Sequence, residues 1–262
     1  MHIAPVWGIL ELRKQVNPMK KQLDLSSSSL HILAMALMLC DHLWATVVPG
    51  NEWMTCIGRL AFPIFAFLLV EGYFHTRSVK KYALRLLIGA LISEIPFNLM
   101  YIGAPFFPFH QNVLWTLLIG LWLIHLNEKV REASLSRRIL RAASTLLLAF
   151  LLGTLSFADY GAAGVLTILV FYFFRGRTPA RLLGQAVGLY YLNFELLKGL
   201  TYQLPLFGGI LEFPQQGFAL LALLPIWAYR GRKGLTGRWF QYLCYGFYPA
   251  HMLLLWLVRT LM

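Results

Sequence analysis

The sequence predicts an all-α fold, a polytopic integral membrane helix bundle, and three observations carry that prediction. Of the 262 residues 58% are hydrophobic and only 13% are charged, about half the charged share of an ordinary soluble domain. The apolar residues fall in repeated runs of roughly 15–23 residues, enough to cross or nearly cross a hydrocarbon core as helices. These runs lack the alternating segments of about ten residues that mark an outer-membrane barrel.

Nine helices (between eight and ten) follow in order. The first spans about 29–48. It is entered through Ser26-Ser27-Ser28-Ser29, any of which can cap it, and stopped by Pro49-Gly50. The second, 53–73, starts at Trp53, an apt interfacial anchor, and contains Arg59 and Pro63. The third covers 80–100, the fourth 112–126 and the fifth 138–156. The sixth covers 160–174, the seventh 180–200, the eighth 214–229 and the ninth 239–261. The fourth, sixth and eighth are short for a core of roughly 30 Å, which suits tilted or broken helices. Residues 201–217, with their prolines and glycines, read either as a re-entrant loop or as a plain exterior one.

Residues 26–262 thus form a single transmembrane domain. Residues 1–25 are a cytoplasmic or interfacial segment, or an upstream extension ahead of a start at Met19. They lack the pattern of a cleavable signal peptide. No fixed-period repeat is visible, and the halves do not match as inverted repeats would.

The net charge of +12 is explained by its distribution. Of the 23 Lys and Arg, all but Arg59, Lys198 and Arg259 lie on alternate connections. The clusters are Arg13, Lys14, Lys20 and Lys21; Arg77, Lys80, Lys81 and Arg85; Lys129, Arg131, Arg137, Arg138 and Arg141; Arg175, Arg177 and Arg181; and Arg230, Arg232, Lys233 and Arg238. Positive connections stay inside, so the amino terminus is cytoplasmic, and no nucleic-acid partner is needed to explain the charge. Cys40, Cys56 and Cys244 form neither metal-ligand spacing nor an even disulfide set, so no metal is expected.

Candidate functional residues are those the bilayer penalises. An ionisable group at membrane depth costs about 2.5–3.5 kcal/mol even on the mildest scale, yet Asp41 and His42 sit adjacent inside the first apolar run. A base titrating near neutrality beside an anion that orients it is two parts of a proton-transfer apparatus. Counted at about 1.5 Å per residue, Arg59, Glu94, Asn98 and His251 reach a similar depth. Asn112, Trp115, Thr116, Asp159, Tyr160, Asn193 and Glu195 fall in the same outer part. This convergence points to one shared pocket, lined for a substrate by Glu94, Asn98, Asn112, Trp115, Asp159 and Tyr160. The alternative is that Asp41–Arg59 and Glu94–Asn98 are pairs that satisfy each other in lipid. Glu71, at the opposite end of its helix with His75 at i+4, is either a surface group or the wall of a cytoplasmic entrance.

Several segments, in order, also resemble a known family. They are Met38-Leu39-Cys40-Asp41-His42; the run from Gly58 to Arg77 with Arg59, Pro63, Glu71 and His75; Ser93-Glu94-Ile95-Pro96-Phe97-Asn98; Asn112-Val113-Leu114-Trp115-Thr116-Leu117; Asp159-Tyr160-Gly161; and Tyr248-Pro249-Ala250-His251. Together they resemble the TraX family, named for a conjugative-pilin acetylation protein, from about Ser26 to the end. The resemblance implies a multi-pass acetyltransferase of the bacterial cytoplasmic (inner) membrane, distantly similar to acyltransferase-3 membrane enzymes. Such an enzyme takes cytoplasmic acetyl-CoA and acetylates an amine or hydroxyl of an extracytoplasmic acceptor, whether pilin, another surface protein or a glycan.

Acetyl transfer needs a base for the acceptor proton and a donor for the tetrahedral oxyanion. His42 is then the base and Asp41 its orienting partner. Arg59 either neutralises Asp41 or stabilises the oxyanion, with His251 or Asn112 as other donors. The cations Arg77, Lys80, Lys81 and Arg85, with Glu71 and His75 beside them, would hold the CoA phosphates. Two other classes fit part of the pattern: a proton-coupled transporter using Asp41, His42, Glu94 and His251 as a relay, and a non-catalytic membrane scaffold.

Overall fold

The structure, a computed structural model, describes residues 24–129, 134–206 and 209–262. The N-terminal segment with its four cations, and Arg131, lie outside them. Helices α1 (Ser27–Thr46), α2 (Glu52–Gly58), α3 (Ala61–His75), α4 (Val79–Ile102) and α5 (Val113–Glu128) come first. They are followed by α6 (Leu135–Leu155), α7 (Gly161–Phe173) and α8 (Pro179–Tyr190), which continues as a π-helical turn, Tyr191–Leu197. An antiparallel hairpin, β1 (Thr201–Leu206) and β2 (Gly209–Pro214), leads to a 3-10 stretch, Gln215–Ala222. Then come α9 (Leu223–Ala228) and α10 (Arg238–Leu261).

Each helical stretch expected from the sequence has a helical counterpart. α1, α2 taken with α3, α4 and α6 are long and apolar enough to cross a membrane. α5, α7 and the Gln215–Ala228 stretch are the short apolar helices anticipated as fourth, sixth and eighth. The protein is therefore a helical membrane protein. Among the described residues the departure from an all-α fold is the hairpin, which occupies most of the stretch read as a loop. Thr201 and Gln203 are exposed while Tyr202 is half-buried, the period of a strand. The Tyr202 hydroxyl contacts Cys56 Sγ at 3.4 Å and accepts from Gln215 Nε2 at 3.3 Å, so the hairpin is tied to α2.

Local chemistry sets the helix ends. Ser26 Oγ accepts from Ser29 N–H, Ser78 Oγ from Lys81 N–H, and Asn112 Oδ1 from Leu114 N–H, each filling an orphan donor of a first turn. Gly103, at φ 78°, ends α4 and returns its N–H to the Asn98 and Leu99 carbonyls, a left-handed cap that suits glycine. The second expected helix is split. Pro63 has no N–H, and its ring crowds the carbonyl four residues earlier, that of Arg59. The break between α2 and α3 falls there, at Arg59-Leu60.

The main core joins α1, α3, α5, α7 and α9 through residues such as Leu30, Ile64, Leu121, Ile168 and Ile226. A second cluster, Phe97, Met100, Tyr248, Met252 and Leu255, locks α10 onto α4. α6 lies at the periphery and buries only Thr145, Ala149 and Gly153. That stripe of small residues at every fourth position brings it close to α7, for a Cβ at Gly153 would meet the Ala162 Cα at 2.5 Å.

The basic connections gather at one end of the bundle. Ser27 and Ser28 N–H donate to the Arg232 and Lys233 carbonyls. Arg175 pairs with Glu71 at 2.7 Å, and Arg177 donates to the Tyr229 and Trp227 carbonyls. The opposite end joins the α4–α5 and α6–α7 connections, where Gln111 N–H donates to Phe157 and Asp159 N–H to Gln111.

Candidate active site

Two cavities lie inside the bundle. The far chamber, about 440 Å³, is walled by Asp41, His42, Arg59, Tyr101, Asp159 and Tyr160 among others. The near chamber, about 460 Å³, lies toward the basic end with Glu71, His75, Tyr82, Arg85 and Lys233 in its wall. Phe65, Leu114, Leu117 and Cys244 line both, so the chambers abut across these four side chains.

Asp41 reaches its place because α1 and α2 pack closely at Gly58, where a Cβ would come within 2.5 Å of the Asp41 Cβ. Thr55 Oγ1 donates to Asp41 Oδ1 at 2.7 Å, and Arg59 Nη2 pairs with the same oxygen. The break ahead of Pro63 leaves Arg59 as the C-cap of α2, free to fold back. Its Nε donates to the Thr55 carbonyl at 3.2 Å and Nη2 also to Thr55 Oγ1 at 3.1 Å. Nη1 has no partner among the described residues, and Arg59 is in the chamber wall. The arrangement is an ion pair with the two N–H groups of Nη1 to spare.

The orienting partner expected for His42 is thus engaged elsewhere. Adjacent residues on a helix diverge by about 100°, so Asp41 turns to α2 while His42 turns to α10. There His42 Nδ1 meets His251 Nε2 at 2.7 Å, and His251 Nδ1 lies 2.7 Å from the Phe247 carbonyl. Both histidines are buried. Tyr101 stands edge-on to His42 at 5.9 Å.

The expected substrate residues divide. Asp159 and Tyr160 line the far chamber. Asp159 faces His110 at 3.9 Å and accepts from the Tyr160 N–H, while Tyr160 stacks on Phe62 at 4.3 Å. The Asp159 carboxylate raises the His110 pKa above its ordinary value, against burial, which lowers it, with Glu94 adding to the rise. Glu94, Asn98, Asn112 and Trp115 do not line the chamber; they form a network between α4 and α5. Glu94 accepts from Asn112 Nδ2, from Trp115 Nε1 at 3.1 Å and from Asn98 Nδ2 at 3.4 Å. Asn112 also donates to the Ala90 carbonyl at 2.9 Å. A carboxylate beside three N–H groups collects them, and here it becomes a cross-brace.

The expected phosphate-binding group divides in the same way. Glu71, His75 and Arg85 line the near chamber, while Arg77, Lys80 and Lys81 are exposed outside its lining. Glu71 is held by Arg175, and Arg85 Nε donates to the Tyr245 hydroxyl at 3.3 Å. Sequence reasoning missed Tyr101, Tyr248 and His110 in the far chamber and Lys233 in the near one. Lys233 was visible as a member of a basic connection. His110 carried a signal in its place just ahead of Asn112, whereas the two tyrosines look like any others in an apolar helix.

A helical membrane bundle with a buried histidine in the wall of an internal chamber defines a polytopic membrane protein with a cavity inside it. The family model described as "TraX protein" matches residues 26–259, and the chain belongs to the TraX family. It is 30% identical over 256 residues to a probable fimbrial assembly protein FimC, serogroup H1, of Dichelobacter nodosus, covering 90% of this chain and 97% of that protein. It is 29% identical over 141 residues to protein TraX of Escherichia coli, covering 53% of this chain and 52% of that one. No solved structure matches it.

Proposed function

We propose that the protein is an acetyltransferase of the bacterial cytoplasmic membrane. It moves an acetyl group from cytoplasmic acetyl-CoA to an amine or hydroxyl of an extracytoplasmic acceptor: a pilin terminus, another surface protein or a glycan. The observation that carries this reading is the pair of abutting chambers, one cationic at its mouth, the other holding a buried imidazole. The name of one relative, a probable fimbrial assembly protein, favours a surface-assembly acceptor. The gathering of cationic connections at one end favours a cytoplasmic amino terminus and about nine crossings.

In this reading Arg85, His75 and Lys233 hold the phosphates of the donor, and its arm runs past Phe65, Leu114, Leu117 and Cys244. His42 Nε2 accepts the acceptor proton as the amine or hydroxyl attacks the thioester carbonyl carbon. Arg59 Nη1 donates to the oxyanion that forms, and the Asp41 pair fixes the guanidinium that does so. Collapse expels the CoA thiolate, which recovers the proton from His42. Burial of His42 keeps bulk water from competing as the acceptor.

The test compares cells with the chain, without it and with His42→Ala by mass spectrometry of envelope proteins and glycans. An acetyl group is expected to vanish in the last two, while purified His42→Ala still binds acetyl-CoA in calorimetry. A general base contributes about 10²–10⁴-fold, so a variant that keeps more than about a tenth of the transfer would sink the role of His42. An envelope with no acetyl group dependent on the chain would sink the enzyme.

A further inference from the structure

The hydrogen bonds around the two histidines fix more than their proximity. A carbonyl oxygen only accepts, so the 2.7 Å contact of His251 Nδ1 with the Phe247 carbonyl requires a proton on that nitrogen. Neutral His251 then has its lone pair on Nε2. That nitrogen faces His42 Nδ1 at 2.7 Å, so the proton between them belongs to His42 Nδ1. Neutral His42 is left with its lone pair on Nε2, and this nitrogen has no hydrogen-bond partner among the described residues. The chain of donors runs from His42 through His251 to a main-chain carbonyl.

Ring geometry agrees with this direction. The His42 and His251 centroids are 4.9 Å apart with an interplanar angle of 13°. Two nearly coplanar imidazoles joined edge to edge by an N–H···N bond put their centroids about 5 Å apart. The pair is hydrogen-bonded in line rather than stacked face to face. The Phe247 ring lies on the His251 imidazole at 4.6 Å and 16°, so the second ring is held on its face as well as at both nitrogens. Pro249 lies between Phe247 and His251, inside α10. Its missing N–H frees the carbonyl of Tyr245, four residues earlier, while the Phe247 carbonyl takes the His251 side chain.

We infer that His251 is a positioning residue that locks His42 in the Nδ1–H tautomer, so that Nε2 is the basic atom presented to the far chamber. The inference rests on the acetyltransferase reading and assigns a division of labour within it. His251 itself is excluded as the base, because both its nitrogens are engaged. Asp41 is excluded as the orienter, because His42 Nδ1 is taken by His251 while Asp41 Oδ1 holds Arg59 and Thr55. When the acceptor proton arrives at His42 Nε2, the imidazolium formed still donates Nδ1–H to His251 Nε2. That bond becomes charge-assisted, about twice as strong as before. The other groups facing the pair are Tyr101 from α4, Tyr248 from α10, and Arg59, Asp41 and Asp159 around the chamber. Of these, the rings of Tyr101 and Tyr248 stand 5.9 and 6.4 Å from that of His42.

The first measurement needs no acceptor. In the purified protein labelled with ¹⁵N-histidine, His42, assigned by its loss in His42→Ala, is expected as the Nδ1–H tautomer. In His251→Ala it is expected to revert toward the commoner Nε2–H form. An Nε2–H tautomer in the wild type overturns the inference. The second measurement follows acetyl-CoA-dependent labelling in native membranes. His251→Ala is expected to lower kcat about 10–100-fold with KM for acetyl-CoA unchanged, less than the roughly 10⁴-fold lost where a catalytic histidine is locked in the wrong tautomer, because an unpartnered His42 still samples both forms. His251→Gln, whose Oε1 accepts from Nδ1–H, is expected to stay within about threefold of wild type. Free imidazole is expected to restore part of the His251→Ala rate. A Gln variant no better than Ala, or an Ala variant at the wild-type rate, overturns the positioning role. Should His251→Ala fail to fold, the wild-type tautomer and the Gln variant still decide. The two readings also fail differently. Full transfer by His42→Ala removes the base itself, whereas a dead His42→Ala beside a fully active His251→Ala removes His251 alone.

Discussion

Glu94 offers a direct test of whether a buried carboxylate here works on substrate or on the fold. The perturbation is Glu94→Ala against Glu94→Gln. Glu94 accepts from Asn112, from Trp115 at 3.1 Å and, weakly, from Asn98 at 3.4 Å. Hydrogen bonds to a charged group contribute about 1.5–3 kcal/mol each. Removing the side chain forfeits two good ones but also relieves the cost of holding a carboxylate away from water. The donors are not equally stranded. Asn112 keeps the Ala90 carbonyl at 2.9 Å and its cap on Leu114, so the donors left without an acceptor are the indole N–H of Trp115, at about 1–3 kcal/mol, and the buried Asn98 amide, whose bond at 3.4 Å was weak to begin with. The expected loss for Glu94→Ala is therefore about 2–4 kcal/mol. Glu94→Gln keeps one oxygen for Asn112 and Trp115. Its new NH₂ faces Asn98, whose buried Oδ1 lacks a donor among the described residues and can receive it after an amide flip. That change should cost about 1 kcal/mol. Equilibrium unfolding in mixed micelles measures both variants, with acetyl transfer measured alongside. A Glu94→Ala protein within about 0.5 kcal/mol of wild type would refute the cross-brace. So would a stable Glu94→Gln protein with no transfer, which would return Glu94 to the substrate.

Gly58→Ala is expected to lower transfer at least about tenfold and to cost about 1–3 kcal/mol, the range for overpacking. The added Cβ would sit 2.5 Å from the Asp41 Cβ and 2.8 Å from its Oδ1, so α1 and α2 must part and the Asp41–Arg59 pair loosens. A wild-type melting curve would show that the contact is not tight. For Asp159→Asn the expected signature is pH dependence. The Asp159 carboxylate raises the His110 pKa above the usual value, so the stability it contributes is fully present below about pH 6.5 and is lost as pH rises through the folded His110 value. The melting-temperature gap between wild type and Asp159→Asn should be larger near pH 5.5 than near pH 8.5, and an equal gap at both would contradict the coupling. The gap stays modest because the pair is more than a third exposed on the His110 side.

Helix order, the short fourth, sixth and eighth segments and the lodging of Asp41, His42, Arg59 and His251 within the bundle were legible in the sequence because they follow from local quantities. Hydropathy summed over a run gives a helix, a serine before it gives a cap, and an ionisable group within it is conspicuous whatever surrounds it. The hairpin at Thr201–Pro214 was less legible, since its glycines and prolines signal a turn without saying which strands flank it. Partner choice belonged to the tertiary structure alone. Asp41 and His42 are neighbours in sequence, yet the helical rotation between them sends one to Arg59 and the other across 209 positions to His251. The same holds for the polar residues at one depth. Depth follows from counting along the chain, but Glu94, Asn98, Asn112 and Trp115 face one another while Asp159 and Tyr160 face the chamber. Azimuth around a helix is set only when neighbouring helices pack. The weak amphipathicity of membrane helices, apolar on nearly every side, leaves little trace of it in the sequence.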